Sequence, residues 1–195
     1  MSAIIRPALT LFLLITLAVG VAYPLLVTGI AHLAFADAAA GSIILRAAAP
    51  VGSRLIGQNF ARAEYFWGRP SATTPYPYDG TASNGSNLGP LNPALTDAVK
   101  ARVAALRAAD PGNGHPVPVD LVTASGSGLD PEVSVAAIEY QIPRVARARS
   151  MSPEAVRALA RRHTKGRLFG FLGEPRVNVL ELNLALDSSS APGAR

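Results

Sequence analysis

Few side chains in this 195-residue chain are spaced to do chemistry, and the strongest candidate is a glycine-serine turn. Ser125-Gly126-Ser127-Gly128 lies in the stretch A-S-G-S-G-L-D-P-E, Ala124 to Glu132. Glycines there would free backbone N–H groups to meet an anion, and a helix opening at Pro131 would add a favourable dipole. Asp130 and Glu132 already occupy the anion's place, so the same residues also read as a self-capped strand-to-helix connection. Ser127 fails the nucleophile-elbow pattern, because position 125 holds serine where glycine is needed. An anchored hydrolase using Ser127 is therefore the weakest reading. His32, His115 and His163 are far apart and lack zinc spacing, so no metal site is expected. The lysines, Lys100 and Lys165, follow no Walker A glycine pattern. The Asp-Lys-Thr-Gly sequence that P-type pumps phosphorylate is also missing from the chain. By itself it is not expected to hydrolyse ATP.

Ahead of these residues stands an uncharged apolar run, Ala8 to Ile30, ALTLFLLITLAVGVAYPLLVTGI. As a helix it covers a bilayer core of roughly 30 Å. A signal-peptide core is shorter, so the run reads as an uncleaved anchor, although Ala34-Phe35-Ala36 imitates a cleavage site. Gly20 and Pro24 are tolerated in membrane helices, and Gly20 and Gly29 would let another helix approach closely. Arg6 before the run gives a slight bias towards a cytoplasmic N-terminus, with the rest of the chain outside. The chain has no cysteine, which excludes thiol chemistry and disulfides.

The remainder reads as one soluble α+β or α/β domain. We divide the chain into an anchor, 1–36, a soluble domain, 37–187, and a disordered tail, 188–195. Val51 to Trp67 reads as strand or irregular structure. Gly68 to Pro93, rich in Pro, Gly, Ser and Asn, reads as a long ordered loop. The aromatic residues Tyr65, Phe66, Trp67, Tyr76 and Tyr78 mark a packed contact surface there. Pro93 to Asp110 reads as a helix capped by Asn92, with Leu95, Val99, Val103 and Leu106 on one stripe. Val117 to Thr123 reads as β, Asp130 as the cap of a second helix, and Ser152 as the cap of a third running to His163. Val177 to Leu186, VNVLELNLAL, alternates strictly and reads as a strand.

Formal charge is +5, and it is uneven. Arg144, Arg147, Arg149, Arg157, Arg161, Arg162, Lys165 and Arg167 face Glu154 alone. Such a stripe suits anionic lipid, an acidic protein face or phosphates, or is a solvated face with arginine stems over apolar neighbours. Nucleic acid is not an expected partner, since no nucleic-acid module is recognisable.

Several blocks carry a closer likeness. They are G-S-R-L-I-G-Q-N-F (Gly52 to Phe60), Y-F-W-G-R-P-S-A (Tyr65 to Ala72) and S-N-G-S-N-L-G-P-L-N-P (Ser83 to Pro93). V-D-L-V-T-A-S-G-S-G-L-D-P (Val119 to Pro131), Y-Q-I-P-R-V-A-R-A-R (Tyr140 to Arg149) and E-P-R-V-N-V-L-E-L-N-L-A-L (Glu174 to Leu186) follow in order. Behind an N-terminal anchor, the series resembles the C subunit of the bacterial high-affinity potassium-transporting Kdp ATPase, from Arg6 to Asp187. The family often has His-Ile where Glu132-Val133 stands here.

The resemblance implies a single-pass, non-catalytic subunit in the bacterial inner membrane. Its implied partners are a potassium-channel subunit, a P-type ATPase subunit, a small single-span subunit and membrane lipid; potassium is the complex's substrate and is not bound here. It further implies a catalytic chaperone that promotes ATP binding, with ATP shared with the ATPase subunit. On this sequence the nucleotide contact would fall on Gln141, with Ser125, Gly126, Ser127 and Gly128 as phosphate neighbours. The family is also placed as an external, periplasmic cap over the ion entrance. ATP is cytoplasmic, so these two implications conflict, and the charge bias favours the cap. Partner contact is expected at Tyr65, Phe66, Trp67, Arg69, Asn84 and Asn87.

Overall fold

The computed structural model describes residues 2–189, in two compact units that separate between Ile43 and Ile44. The first unit is helical: α1 (Ser2–Leu17), a π-helical turn (Ala18–Ala22), α2 (Tyr23–Ala34) and the single turn α3 (Ala36–Ala39). Ala3–Ala34 forms one stretch of 32 residues, and its most apolar 18 residues have a mean hydropathy of 2.3 with none of them buried. It is about 48 Å long at 1.5 Å per residue, enough to cross a membrane. The π turn has a local cause. Pro24 has no N–H to offer the Gly20 carbonyl and its ring crowds that turn. The ladder widens there, and the Tyr23 N–H reaches back to the Ala18 carbonyl.

From the boundary between the units onward runs a two-stranded hairpin, β1 (Ile43–Arg46) with β2 (Ala49–Ser53), all but Ile43 of it in the second unit. Residues 54–92 then follow without helix or strand: of Val51 to Trp67 only the part up to Ser53 is strand, and Gly68 to Asn92 forms the long loop expected. α4 (Pro93–Ala109) begins where expected, the Asn92 side chain accepting from Ala94 N at 3.0 Å. Leu106 is buried, and Val99 and Val103 pack on the core.

Next come β3 (Glu132–Ser134), α5 (Val135–Ala148), α6 (Pro153–Arg162), β4 (Thr164–Lys165), β5 (Arg176–Asn178) and α7 (Val179–Ser189). The strands form one antiparallel sheet in the order β3-β5-β4, with Val133 opposite Val177 and Thr164 also opposite Val177. α5 packs on α6, and α6 on α7. The core gathers Phe66, Ile138, Ile142, Val145, Val156, Val177, Leu182 and Leu186. The fold is thus mixed helix and sheet. Ser152 caps α6 through Ala155 N, and Val156, Leu159 and Ala160 face inward.

Several expectations are corrected. Val117 to Thr123 is not a strand but contains a 3-10 turn, Val119–Leu121. Pro116 and Pro118 remove ladder donors, and the Asp120 carboxylate bends back to accept from Ser134 N at 2.7 Å. Asp130 does not cap a helix. Its carboxylate accepts from Glu132 N at 3.0 Å, Glu132 enters β3, and Ser134 caps α5 through Ala137 N.

Val177 to Leu186 is a strand only as far as Asn178. The Asn178 side chain then accepts from Glu181 N at 3.0 Å, as a helix cap does. Val179, Leu182, Asn183 and Leu186 are buried at helical spacing, which the alternating leucines concealed. Ser188 and Ser189, expected in the tail, belong to α7, and 190–195 lie outside the described residues.

The basic stripe is also not uniformly solvated. Arg144 is buried, Arg149 is nearly so, Arg147 pairs with Asp110 at 2.6 Å, and Arg157 with Glu139 at 2.9 Å.

Candidate functional site

The candidate site is built around residues 62–71, a stretch without helix or strand whose backbone is held by side chains. Two side-chain amides grip consecutive residues. Asn183 of α7 accepts from Phe66 N at 2.9 Å and donates to Phe66 O at 3.0 Å. Gln141 of α5 accepts from Trp67 N at 2.8 Å and donates to Trp67 O at 3.1 Å. Each amide supplies one donor and one acceptor, imitating a strand neighbour where none exists. Gln141 also donates to Ala137 O at 3.1 Å. Gln141 and Asn183 are each 1% exposed, and Phe66 is wholly buried.

Two arginines five residues apart, Arg144 within α5 and Arg149 at its C-cap, complete the clamp. Arg144 donates to Gln141 Oε1 at 2.7 Å and to Ala63 O at 2.6 Å, and its guanidinium lies 4.2 Å from the Trp67 ring centre. Burial pushes this guanidinium down to about 10; the neighbouring Asp110 opposes the shift and Arg147 adds to it. Arg149 donates to Glu64 O at 2.6 Å and to Asp187 Oδ1 at 2.8 Å. The Tyr65 hydroxyl donates to Asp187 Oδ2 at 3.2 Å, and Arg149 lies 4.9 Å from the Tyr65 ring centre.

The glycine-serine turn meets the same segment further along. Ser125 N donates to Pro70 O, and Ser71 Oγ donates to Gly128 O at 2.7 Å. Within the turn, Ser125 Oγ accepts from Gly128 N at 2.9 Å and Ser127 Oγ from Leu129 N at 3.1 Å. Asn84 N donates to Ser127 O at 2.9 Å. A Cβ on Gly85 would stand 2.8 Å from Gly126 O, and Gly128 holds φ +71°, so both glycines serve close backbone crossing. The turn leads into β3 and not into a helix N-terminus, which removes the dipole from its anion reading.

Arg69 pairs with Asp130 at 3.0 Å, and the Tyr78 hydroxyl donates to Arg69 O. Burial pushes the Tyr78 phenol up to about 12, Asp130 adding and Arg69 opposing. Beside these residues an open cleft of about 400 Å³ is lined by Phe60, Trp67, Arg69, Tyr78 and, from α4, Arg102 and Leu106.

Residues 5–188 match the family described as KdpC, K+-transporting ATPase, c chain. The chain belongs to the KdpC family. It is 63% identical over 191 residues to a protein of Variovorax paradoxus named as the KdpC subunit of a potassium-transporting ATPase. That match covers 98% of this chain and 99% of the relative. Proteins with the same name from Dechloromonas aromatica and Sorangium cellulosum are 59% and 62% identical. Those matches cover 97% of this chain and 100% of each relative.

Within this KdpC chain the expected site residues fall into two linked groups. Gln141, Tyr65, Phe66 and Trp67 form the clamp. Ser125, Gly126, Ser127, Gly128, Arg69 and Asn84 form the crossing of the turn with the long loop. Asn87 sits at its exposed edge, donating to Asn84 Oδ1 at 3.4 Å. The Phe66 side chain faces the core, which leaves the half-buried Tyr65 and Trp67 as the surface aromatics. Asn183 and Asp187 are not singled out by the sequence, and Arg149 stands out there only as part of the basic stripe. An asparagine in line with Val179, Leu182 and Leu186 at helical spacing was the available signal. Among the described residues no cluster of His, Asp and Glu is grouped to hold a metal ion.

Proposed function

We propose that the chain is an anchoring and assembly subunit of a potassium-transporting ATPase, tethered by residues 3–34 and presenting its second unit as a rigid external cap. The observation that carries this is the 32-residue helix Ala3–Ala34, whose most apolar 18 residues include none that is buried. Roughly 30 Å of uncovered apolar helix needs lipid or other apolar helices around it. Gly29 has no heavy atom within 4 Å of where its Cβ would be, leaving a small-residue surface for a neighbouring span. The natural partners are the channel, ATPase and small single-span subunits implied by family membership. The clamp's part is mechanical. It fixes residues 62–71 so that Tyr65, Trp67, Arg69 and the 83–87 loop meet a partner in one conformation, and chemistry is left to the other subunits.

Gln141 suits this role because its amide is already bonded to Trp67, Ala137 and Arg144. On this reading it orders the aromatic segment and does not touch nucleotide. The decisive measurement is a tagged pull-down from membranes expressing all subunits, with ATP binding by the purified chain as its companion. Trp67→Ala is expected to lower recovery of the other subunits while the chain stays in the membrane. ATP binding that Gln141→Ala abolishes, with assembly intact, would favour the chaperone reading instead. Protease added to right-side-out vesicles is expected to digest the second unit, and protection there would overturn the external cap.

A further inference from the structure

The loop joining β4 to β5 carries an apolar tip that nothing in the fold uses. Leu168, Phe169, Phe171 and Leu172 are all exposed, Phe169 at 79% and Phe171 at 72%. Other exposed apolar side chains of this unit, such as Leu55, Leu91 and Val119, stand singly. Here four fall within five residues. The tip is also shaped. Leu168 and Leu172 exchange backbone hydrogen bonds of 2.9 Å in both directions, and Gly170 N donates to Arg167 O at 3.2 Å. At its base Arg167 holds both oxygens of Glu174, at 2.9 and 2.8 Å. Phe169 is kept at φ +53°, a conformation that bulky residues rarely adopt. A loop meant only for water would be polar here.

We propose that this hairpin tip inserts into the boundary between acyl chains and headgroups of the bilayer that carries the chain, an inference that rests on the anchoring reading above. Two observations select lipid over a protein groove. The stretch around the tip, residues 161–176, contains five cations: Arg167 pairs with Glu174, Lys165 and Arg176 pair with Glu132 of β3, and Arg161 and Arg162 are left over. Arg161 and Arg162 are exposed and make no ion pair among the described residues. An apolar tip a few residues along the chain from two unpaired arginines matches an anionic membrane surface, where the rings enter and Arg161 and Arg162 meet phosphate. The chain is also covalently joined to a span that ends at Ala34, so a lipid surface is present at high effective concentration.

The absence of cysteine allows one probe at a chosen position. Full-length Phe171→Cys and Leu91→Cys chains, each carrying an environment-sensitive dye, are reconstituted into phosphatidylcholine–phosphatidylglycerol vesicles with spin-labelled acyl chains. Leu91, exposed at 96%, is the control. The dye at 171 is expected to shift to the blue and lose emission to the acyl-chain quencher, and the dye at 91 to do neither. Equal behaviour at both positions would overturn the proposal. So would a shift at 171 that appears only when the other subunits are added, because the occupant would then be protein. Retention of the chain through alkaline extraction with the 171 dye still in water defeats the hairpin alone. Release of the chain by that extraction defeats the anchoring reading and this inference with it.

Discussion

At the scale of single residues, the amide side chains of Gln141 and Asn183 do what a neighbouring strand does elsewhere. Each satisfies the N–H and the C=O of one residue in a stretch that has no strand partner. Gln141→Leu keeps the volume and strands both Trp67 groups as well as an Arg144 donor. At about 1–3 kcal/mol per orphaned buried group, the three groups should cost at least roughly 3 kcal/mol in urea unfolding. Asn183→Leu should cost a similar amount through Phe66. The two losses together should fall short of their sum, since both release one short segment.

Tyr78 gives a pH signature. Its pKa in the folded chain, about 12, lies above the unfolded value near 10. The stability it contributes is therefore complete below about pH 10 and disappears as pH climbs to about 12. The difference in unfolding free energy between wild type and Tyr78→Phe should shrink by roughly 2–3 kcal/mol across that window. A constant difference would mean that the phenol ionises as freely when folded.

At the scale of elements, legibility in the sequence followed how local the determining contact is. Asn92-Pro93 and Ser152-Pro153 announce α4 and α6, because a cap and a first-turn proline act within a few residues. The apolar span is equally plain from length and composition. Val177 to Leu186 misled because period two and period 3.6 share several of its leucines, and only Asn178 distinguishes them. Asn178→Ala removes that cap and its bond to Arg54 O, and should cost about 1–2 kcal/mol by thermal unfolding. The clamp was half legible. Tyr65 to Trp67 and Gln141 stood out, but their pairing spans 74 residues and has no local signal. In the 168–172 hairpin, Phe169→Asn should leave stability unchanged or raise it by up to about 1 kcal/mol, since Asn accepts positive φ more readily. Scanning calorimetry on the full chain reads this directly. A large destabilisation would show that the Phe169 ring belongs to the fold.

At the scale of the whole molecule, an uncovered apolar helix and a separate folded unit make a division of labour that deletion can test. Removing residues 3–34 should leave a chain that no longer sediments with membranes and no longer recovers the other subunits, read by fractionation and pull-down. Replacing the span with an unrelated polyleucine helix should restore sedimentation. Recovery of the partners should return only if small residues such as Gly29 are restored with it. The paired amide grips carry one more consequence. Residues before Leu91 are joined to residues after it by Phe66 with Asn183, Trp67 with Gln141, Arg144 with Ala63 and Asn178 with Arg54. A protease that nicks the peptide at Leu91 would leave one intact particle on a sizing column, and two fragments would emerge only under denaturant. The fold is stitched across its chain more than along it.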